Sequence, residues 1–196
     1  MGTKNALDIS VTRQSVPSSI TRAGSADGLW PVPIISVLQS DFTLTAGTGV
    51  QTAFSSGQDV ITLEGSTTYL FEGQFDLTTG TTAHTLAIAW LAGSGLTINL
   101  ISYQTRGWSS VANTTATATN GTWITQLAST VITASSGTAG KHVFFKGIIN
   151  VNAGGTLTPQ IKFSANPTGT NLMKAGSYFM FTPLGTNTFT TIGPVS

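Results

Sequence analysis

Two histidines, a small pool of carboxylates and a few glycine-rich turns are the residues of this chain whose types and spacing could do chemistry. A hydrolytic triad needs an imidazole base between a nucleophile and an orienting carboxylate. His84 and His142 are the available imidazoles, and neither is accompanied by a G-x-S-x-G elbow. Glu64, Glu72 and Asp76 are the pool for a glycosidase pair. Glu72 and Asp76 stand four apart in one alternating run, so they share a face at about 13 Å. That exceeds the separations used by retaining or inverting pairs. Glu64 with Glu72 stays open at this level, although a solvated strand face accounts for all three. No HxH, HExxH or DxDxDG spacing marks a metal site, and the chain has no cysteine. Gly93-Ser94-Gly95 lacks the helix and lysine of a phosphate-binding loop and reads as a hairpin turn, as does Ala153-Gly154-Gly155. The expectation is no catalytic residue, no metal and no cofactor, in a protein that is not an enzyme.

The elements that would position any site are strands. From His142 to Gly185 three runs are bounded by Gly, Pro or Asn. Val143, Phe145, Ile149 and Val151 share one face of the first, with Lys146 and Asn150 on the other. Leu157, Ile161 and Phe163 alternate with Thr158, Gln160 and Lys162 in the second. Period-two alternation describes a half-buried strand. The third run, Tyr178 to Leu184, has Tyr178, Phe179, Met180 and Phe181 in succession. A continuous apolar run describes a strand covered on both faces, and a neighbouring subunit is one such cover.

Upstream, PIISVLQ, DFTLTA, VQTAFSS and DVITLEG read as short strands, with proline at the entry to the first. In TTYLFEGQFDLTT, Tyr69, Phe71, Phe75 and Leu77 point inward, and Glu72, Gln74 and Asp76 point outward. AHTLAIAWLAG and LTINLISYQT follow, with His84 at the start as a surface or hydrogen-bonded residue. Asn120-Gly121 signals a tight turn, and WITQLASTVITA one or two strands with Trp123 packed in the core. Ten to twelve strands without a helix predict an all-β, jelly-roll-like antiparallel β-sandwich over residues 31–196.

Only 8% of the residues are charged, where about 25% is usual. A chain so poor in charge is expected to hide surface in an assembly. All seven acidic residues lie at or before Asp76, while Arg106, Lys141, Lys146, Lys162 and Lys174 follow it. That asymmetry suits pairing between halves of the fold or between subunits. No basic cluster with interleaved aromatics supports nucleic-acid binding. No apolar run approaches the roughly 18 residues of a membrane span, so no membrane partner is expected. Ala6 stands where a myristoylation signal needs Ser or Thr.

Residues 1–30 are polar and aperiodic, and cannot bury enough apolar surface to offset their ordering entropy. They read as an extended N-terminal arm that lies on a neighbouring copy or a larger partner through Leu7, Ile9, Val11, Val16 and Ile20. Residues 106–140 are the least patterned of the domain, and Arg106, Trp108 and Asn113 mark a candidate exposed partner-binding loop over 106–122.

Two stretches, 41–78 and 142–185, carry a resemblance. Tyr69-Leu70-Phe71-Glu72, Gly155-Thr156-Leu157-Thr158-Pro159-Gln160 and the Gly176–Gly185 strand, in that order, resemble elements of a domain of tailed-bacteriophage virion proteins. The similarity covers about half the chain, and each motif is short. It implies a virion structural protein: a head decoration protein, a head fibre or a tail-fibre component. The last aromatic strand is similar to that of the trimeric jelly rolls of the tumour-necrosis-factor and complement globular-head type. There the strand lies near the trimer axis, which implies a homotrimer whose interface draws on Tyr178, Phe179, Met180 and Phe181, through whichever of Phe179 and Phe181 or Tyr178 and Met180 face away from the chain's own core.

The expected function is therefore a capsid decoration (cement) protein. It would bind the outside of a phage head as a trimer, with the major capsid protein as partner, and stabilise the shell. The alternative is a head- or tail-fibre receptor-binding module recognising a host-surface glycan or protein. A carbohydrate-active enzyme on the same scaffold is the third reading.

Overall fold

The computed structural model describes residues 32–108, 119–133, 135–137 and 139–188, and every regular element among them is a β-strand. The proposed arm, with Leu7, Ile9, Val11, Val16 and Ile20, lies outside the described residues, as does Asn113. The strands are β1 (Ile34–Val37), β2 (Phe42–Leu44), β3 (Gln51–Thr52), β4 (Ile61–Leu63), β5 (Thr67–Thr78), β6 (Leu86–Gly93) and β7 (Thr97–Trp108). They continue with β8 (Thr119–Ile124), β9 (Thr130–Val131), β10 (Gly140–Ala153), β11 (Gly155–Phe163), β12 (Asn171–Met173) and β13 (Tyr178–Thr186).

Their pairing folds the chain back on itself. β1 pairs with β13, β2 with β12, β3 and β4 with β11, β5 with β10, β6 with β9, and β7 with β8, all antiparallel. Register keeps step along this ribbon: Ile34 faces Phe181, Ile61 faces Leu157, Phe71 faces Gly147 and Ala87 faces Val131. Winding the doubled ribbon adds β13–β5, β10–β7 and β11–β6 contacts and closes two sheets. The first has the order β1-β13-β5-β10-β7-β8, with β12 joined to β5 and β2 to β12. The second has the order β3-β11-β6-β9, with β4 on β11. A doubled ribbon wound into two facing sheets is a jelly roll.

Two expected hairpins are corners instead. Ser94 and Gly95 have the left-handed φ of 51° and 84°, and the Leu96 N–H donates to the Gly93 carbonyl at 3.1 Å. Yet β6 enters this turn from the second sheet and β7 leaves it in the first. The link from β10 to β11 at Gly154 makes the same crossing in reverse. Backbones meet closely there: a Cβ on Gly155 would lie 2.4 Å from the Leu96 nitrogen. Sequence spacing reports the turn and not the sheet each arm joins. Asn120-Gly121 is likewise not a tight turn, because both residues lie inside β8.

The inward faces form one aromatic core. Phe71 sits at its centre, with ring centroids 5.2 Å from Phe181, 5.4 Å from Tyr103 and 5.6 Å from Trp90. Val143, Phe145, Ile149, Val151, Leu157, Ile161 and Phe163 are all buried, as their alternation requires.

Candidate interaction face

Successive side chains in a strand point to opposite sides, so the residues that alternate with the core line the outer face of the first sheet. Register sets them in rows. The middle row reads Ile35, Met180, Glu72, Lys146, Gln104 and Trp123, one residue from each of six strands. On one side of it lie Tyr178, Gln74, Phe144 and Arg106, then Asp76, His142 and Trp108. On the other side lie Thr182, Leu70, Ile148 and Ser102, then Thr68, Asn150 and Leu100.

Charges on this face are matched with one exception. Lys146 Nζ meets Glu72 Oε2 at 3.0 Å, and His142 Nδ1 meets Asp76 Oδ1 at 2.7 Å. Asp76 Oδ2 also accepts from Gln74 Nε2 at 2.7 Å. Arg106 has no ion-pair partner among the described residues.

The middle row divides the face into two halves. In one, Leu100, Ile148 and Trp123 leave 52%, 40% and 74% of their surface open around a hollow of about 550 Å³. Trp123 is held there by its indole N–H, which donates to Ser102 Oγ at 2.7 Å. In the other half, Glu72, Gln104, Arg106, Phe144, Lys146 and Tyr178 surround a hollow of about 290 Å³. Trp108 stands edge-on to Phe144 with ring centroids 5.3 Å apart.

The residues singled out from sequence fall into three groups. Phe179 and Phe181 are fully buried and pack on Trp90, Phe54 and Phe71, so they serve the chain's own core. As inter-subunit contacts they are corrected: of the four residues 178–181, Tyr178 and Met180 alone reach the outer face, where both are half-buried. The aromatic run hid an ordinary alternation, because tyrosine and methionine serve an outer face as readily as a core. Arg106 and Trp108 belong to β7 rather than to a loop, while residues 109–118 lie outside the described residues. Trp123, expected in the core, is the most open of the large apolar side chains among the described residues. Phe144, Ile148 and Leu100 were legible as apolar residues at the outward positions of alternating runs, and passed unremarked.

Glu72 and Asp76 do not converge into a catalytic pair. They occupy separate rows, Glu72 beside Lys146 and Asp76 beside His142. Among the described residues no group of three or more His, Asp or Glu side chains is placed to hold a metal.

A buried basic pair lies at one end of the sandwich. His84 is fully buried, with Nδ1 2.7 Å from the Thr82 carbonyl, so Nδ1 carries the proton in the neutral ring. Its Nε2 has no partner among the described residues. Lys141 is also fully buried, and its ammonium donates to Ser136 O and Oγ at 3.4 and 3.3 Å. Burial pushes the His84 pKa below its usual 6.5, with the Lys141 charge adding to the shift. Burial lowers that of Lys141 as well.

Both shifts act on stability in the same direction. The folded chain binds fewer protons than the unfolded one, so stability falls as pH drops from the unfolded His84 value of 6.5 toward the lower folded value. For Lys141 the ammonium burdens the fold at every pH below its lowered pKa. Lys141→Met removes that desolvation and conserves length, and the Ser136 carbonyl keeps the His84 N–H at 3.2 Å. Thermal denaturation at neutral pH should show a gain of about 2–8 °C, equivalent to about 1–2 kcal/mol. The fall in stability below pH 6.5 should shrink in the variant and persist, because burial is the larger cause. A lower melting temperature in Lys141→Met contradicts this account.

No family model matches the chain, and no curated protein does. Among solved structures it is similar to a chain in the structure of the infectious bursal disease virus Gx strain, with 8% identity and a TM-score of 0.19. The matched region covers 79% of this chain and 41% of that one. At that identity and TM-score the likeness carries no functional statement.

Proposed function

We propose that this chain is a structural protein of a virion, of the capsid-decoration type. It acts by binding and not by catalysis, as a homotrimer seated on the outside of a shell built from a major capsid protein. The observation that carries the reading is the open apolar half of the outer face, around Leu100, Ile148 and Trp123. Contiguous apolar surface on a chain with 8% charged residues favours burial in an assembly. The resemblance of the Tyr69–Glu72, Gly155–Gln160 and Gly176–Gly185 segments to phage virion proteins supports the location. A stable interface buries about 1,600 Å² in total, and a broad sheet face is a suitable platform for it.

Sedimentation equilibrium should give three times the 20.3 kDa of one chain. The double variant Leu100→Asp/Trp123→Asp should keep its far-ultraviolet circular dichroism and sediment as one chain, since both side chains lie outside the core. A monomeric wild-type protein, or a double variant that stays trimeric, removes the assembly role from this face. Copy number in purified virions then separates decoration, with hundreds of copies, from a fibre with a dozen or fewer.

A further inference from the structure

We propose that the hollow between Phe144, Arg106 and Tyr178 is a binding site for a carboxylate-bearing sugar. The site does not depend on the trimer or on a place on the capsid. It lies across the Glu72–Lys146–Gln104 row from the apolar patch assigned to assembly.

Its shape comes from the register. Tyr178, Gln74 and Phe144 occupy three neighbouring strands in one row. The Gln74 amide bends toward Asp76, donating to Oδ2 at 2.7 Å, and leaves the space between the two rings open. Two strand spacings set the backbones carrying those rings roughly 9–10 Å apart, a gap on the scale of a pyranose with its substituents. Phe144 is 39% exposed and is braced by the edge-on Trp108 ring. A pyranose presents an apolar face of C–H bonds, and these carry partial positive charge that suits the negative face of an aromatic ring. Gln104 lines the same hollow and supplies amide donors and an acceptor for hydroxyl groups.

Charge selects the class of sugar. Glu72 is committed to Lys146 and Asp76 to His142, whereas the Arg106 guanidinium has no ion-pair partner among the described residues. Arg106 is the direct cross-strand neighbour of Phe144. A ligand stacked on Phe144 therefore meets a planar five-donor fork suited to two parallel hydrogen bonds from one carboxylate. A neutral sugar leaves that fork unused. The hollow is shallow and open, as fits one or two terminal residues of a surface glycan rather than an enclosed small molecule.

Calorimetric and saturation-transfer titrations of the full chain would use sialyllactose, a hyaluronan tetrasaccharide, neutral lactose and a hexaglutamate peptide. At least one acidic sugar should bind about tenfold or more tightly than lactose. Arg106→Gln should bring that sugar down to the lactose level, and Phe144→Ala should weaken both. Arg106 is exposed, so its variant should melt with the wild type. The proposal is overturned by no saturable binding of either acidic sugar, by equal binding of lactose, or by an Arg106→Gln variant that keeps the preference. Hexaglutamate binding as tightly as the sugars also overturns it, since bare charge attraction would then suffice.

Discussion

Phe181→Asp will unfold this domain. The ring is fully buried, stacks on Phe71 at 5.2 Å with a 9° interplanar angle, and meets Trp90 edge-on at 6.0 Å. Removing a buried phenylalanine side chain costs about 3–5 kcal/mol. An aspartate carboxylate in its place has no cation within that aromatic cluster and adds a desolvation cost of several kcal/mol. The sum is comparable with the whole stability of a domain, about 5–15 kcal/mol. Circular dichroism and tryptophan fluorescence should report an unfolded or aggregated chain at room temperature. Met180→Asp is the matched control one residue away, because Met180 belongs to the outer row beside Glu72 and Ile35. It should fold, and any effect should appear in the sedimented mass. A Phe181→Asp protein that melts cooperatively near the wild-type temperature would falsify the placement of this strand.

The contrast between neighbours marks what was legible in the sequence. Alternation in 143–151, 157–163 and 69–77 gave the inward residues correctly, because a strand with one wet face must put its apolar side chains on the other. The same rule failed at 178–181, where outer-face residues are themselves apolar and the period vanishes from the pattern. It failed for Trp123 as well, since a single tryptophan carries no period and sits on β8 at the margin of the sheet. Turn signals named the bends at Gly93–Gly95 and Ala153–Gly155 and misjudged what they join. A bend's residues fix its local φ and ψ, while the sheet entered by each arm is set by contacts far away in the chain. The candidate site was less legible than the fold for the same reason. Phe144, Arg106 and Tyr178 come together through four strands whose paired residues are 38 or more positions apart in sequence. Lys141 stayed hidden because no local pattern separates a buried lysine from a solvated one.

Gly147→Val will destabilise the domain even though valine is the better strand former. Gly147 lies on the inward face of β10, paired with Phe71 of β5 on one side and Tyr103 of β7 on the other. A Cβ there would fall 2.2 Å from Ser102 O, 2.3 Å from Tyr103 Cβ and 2.4 Å from Tyr103 Cα. These atoms belong to the β7 backbone or move with it, so no side-chain rotation clears the space. β10 is hydrogen-bonded on both edges, so relieving the clash means parting it from β7 along a pairing that spans most of both strands. Overpacking of this kind costs about 1–3 kcal/mol and occasionally more, so Gly147→Ala should sit within that range and Gly147→Val above it. Strand propensity alone predicts the opposite sign, a gain of up to about 1 kcal/mol for valine. Urea denaturation of the two variants therefore decides between packing and propensity. Gly49→Ala, where an added Cβ meets nothing within 4 Å, should leave the midpoint unchanged. If Gly147→Val were as stable as the wild type, β10 and β7 would have to stand farther apart than they do here, and the rows that bring Arg106 beside Phe144 would have to be redrawn with them.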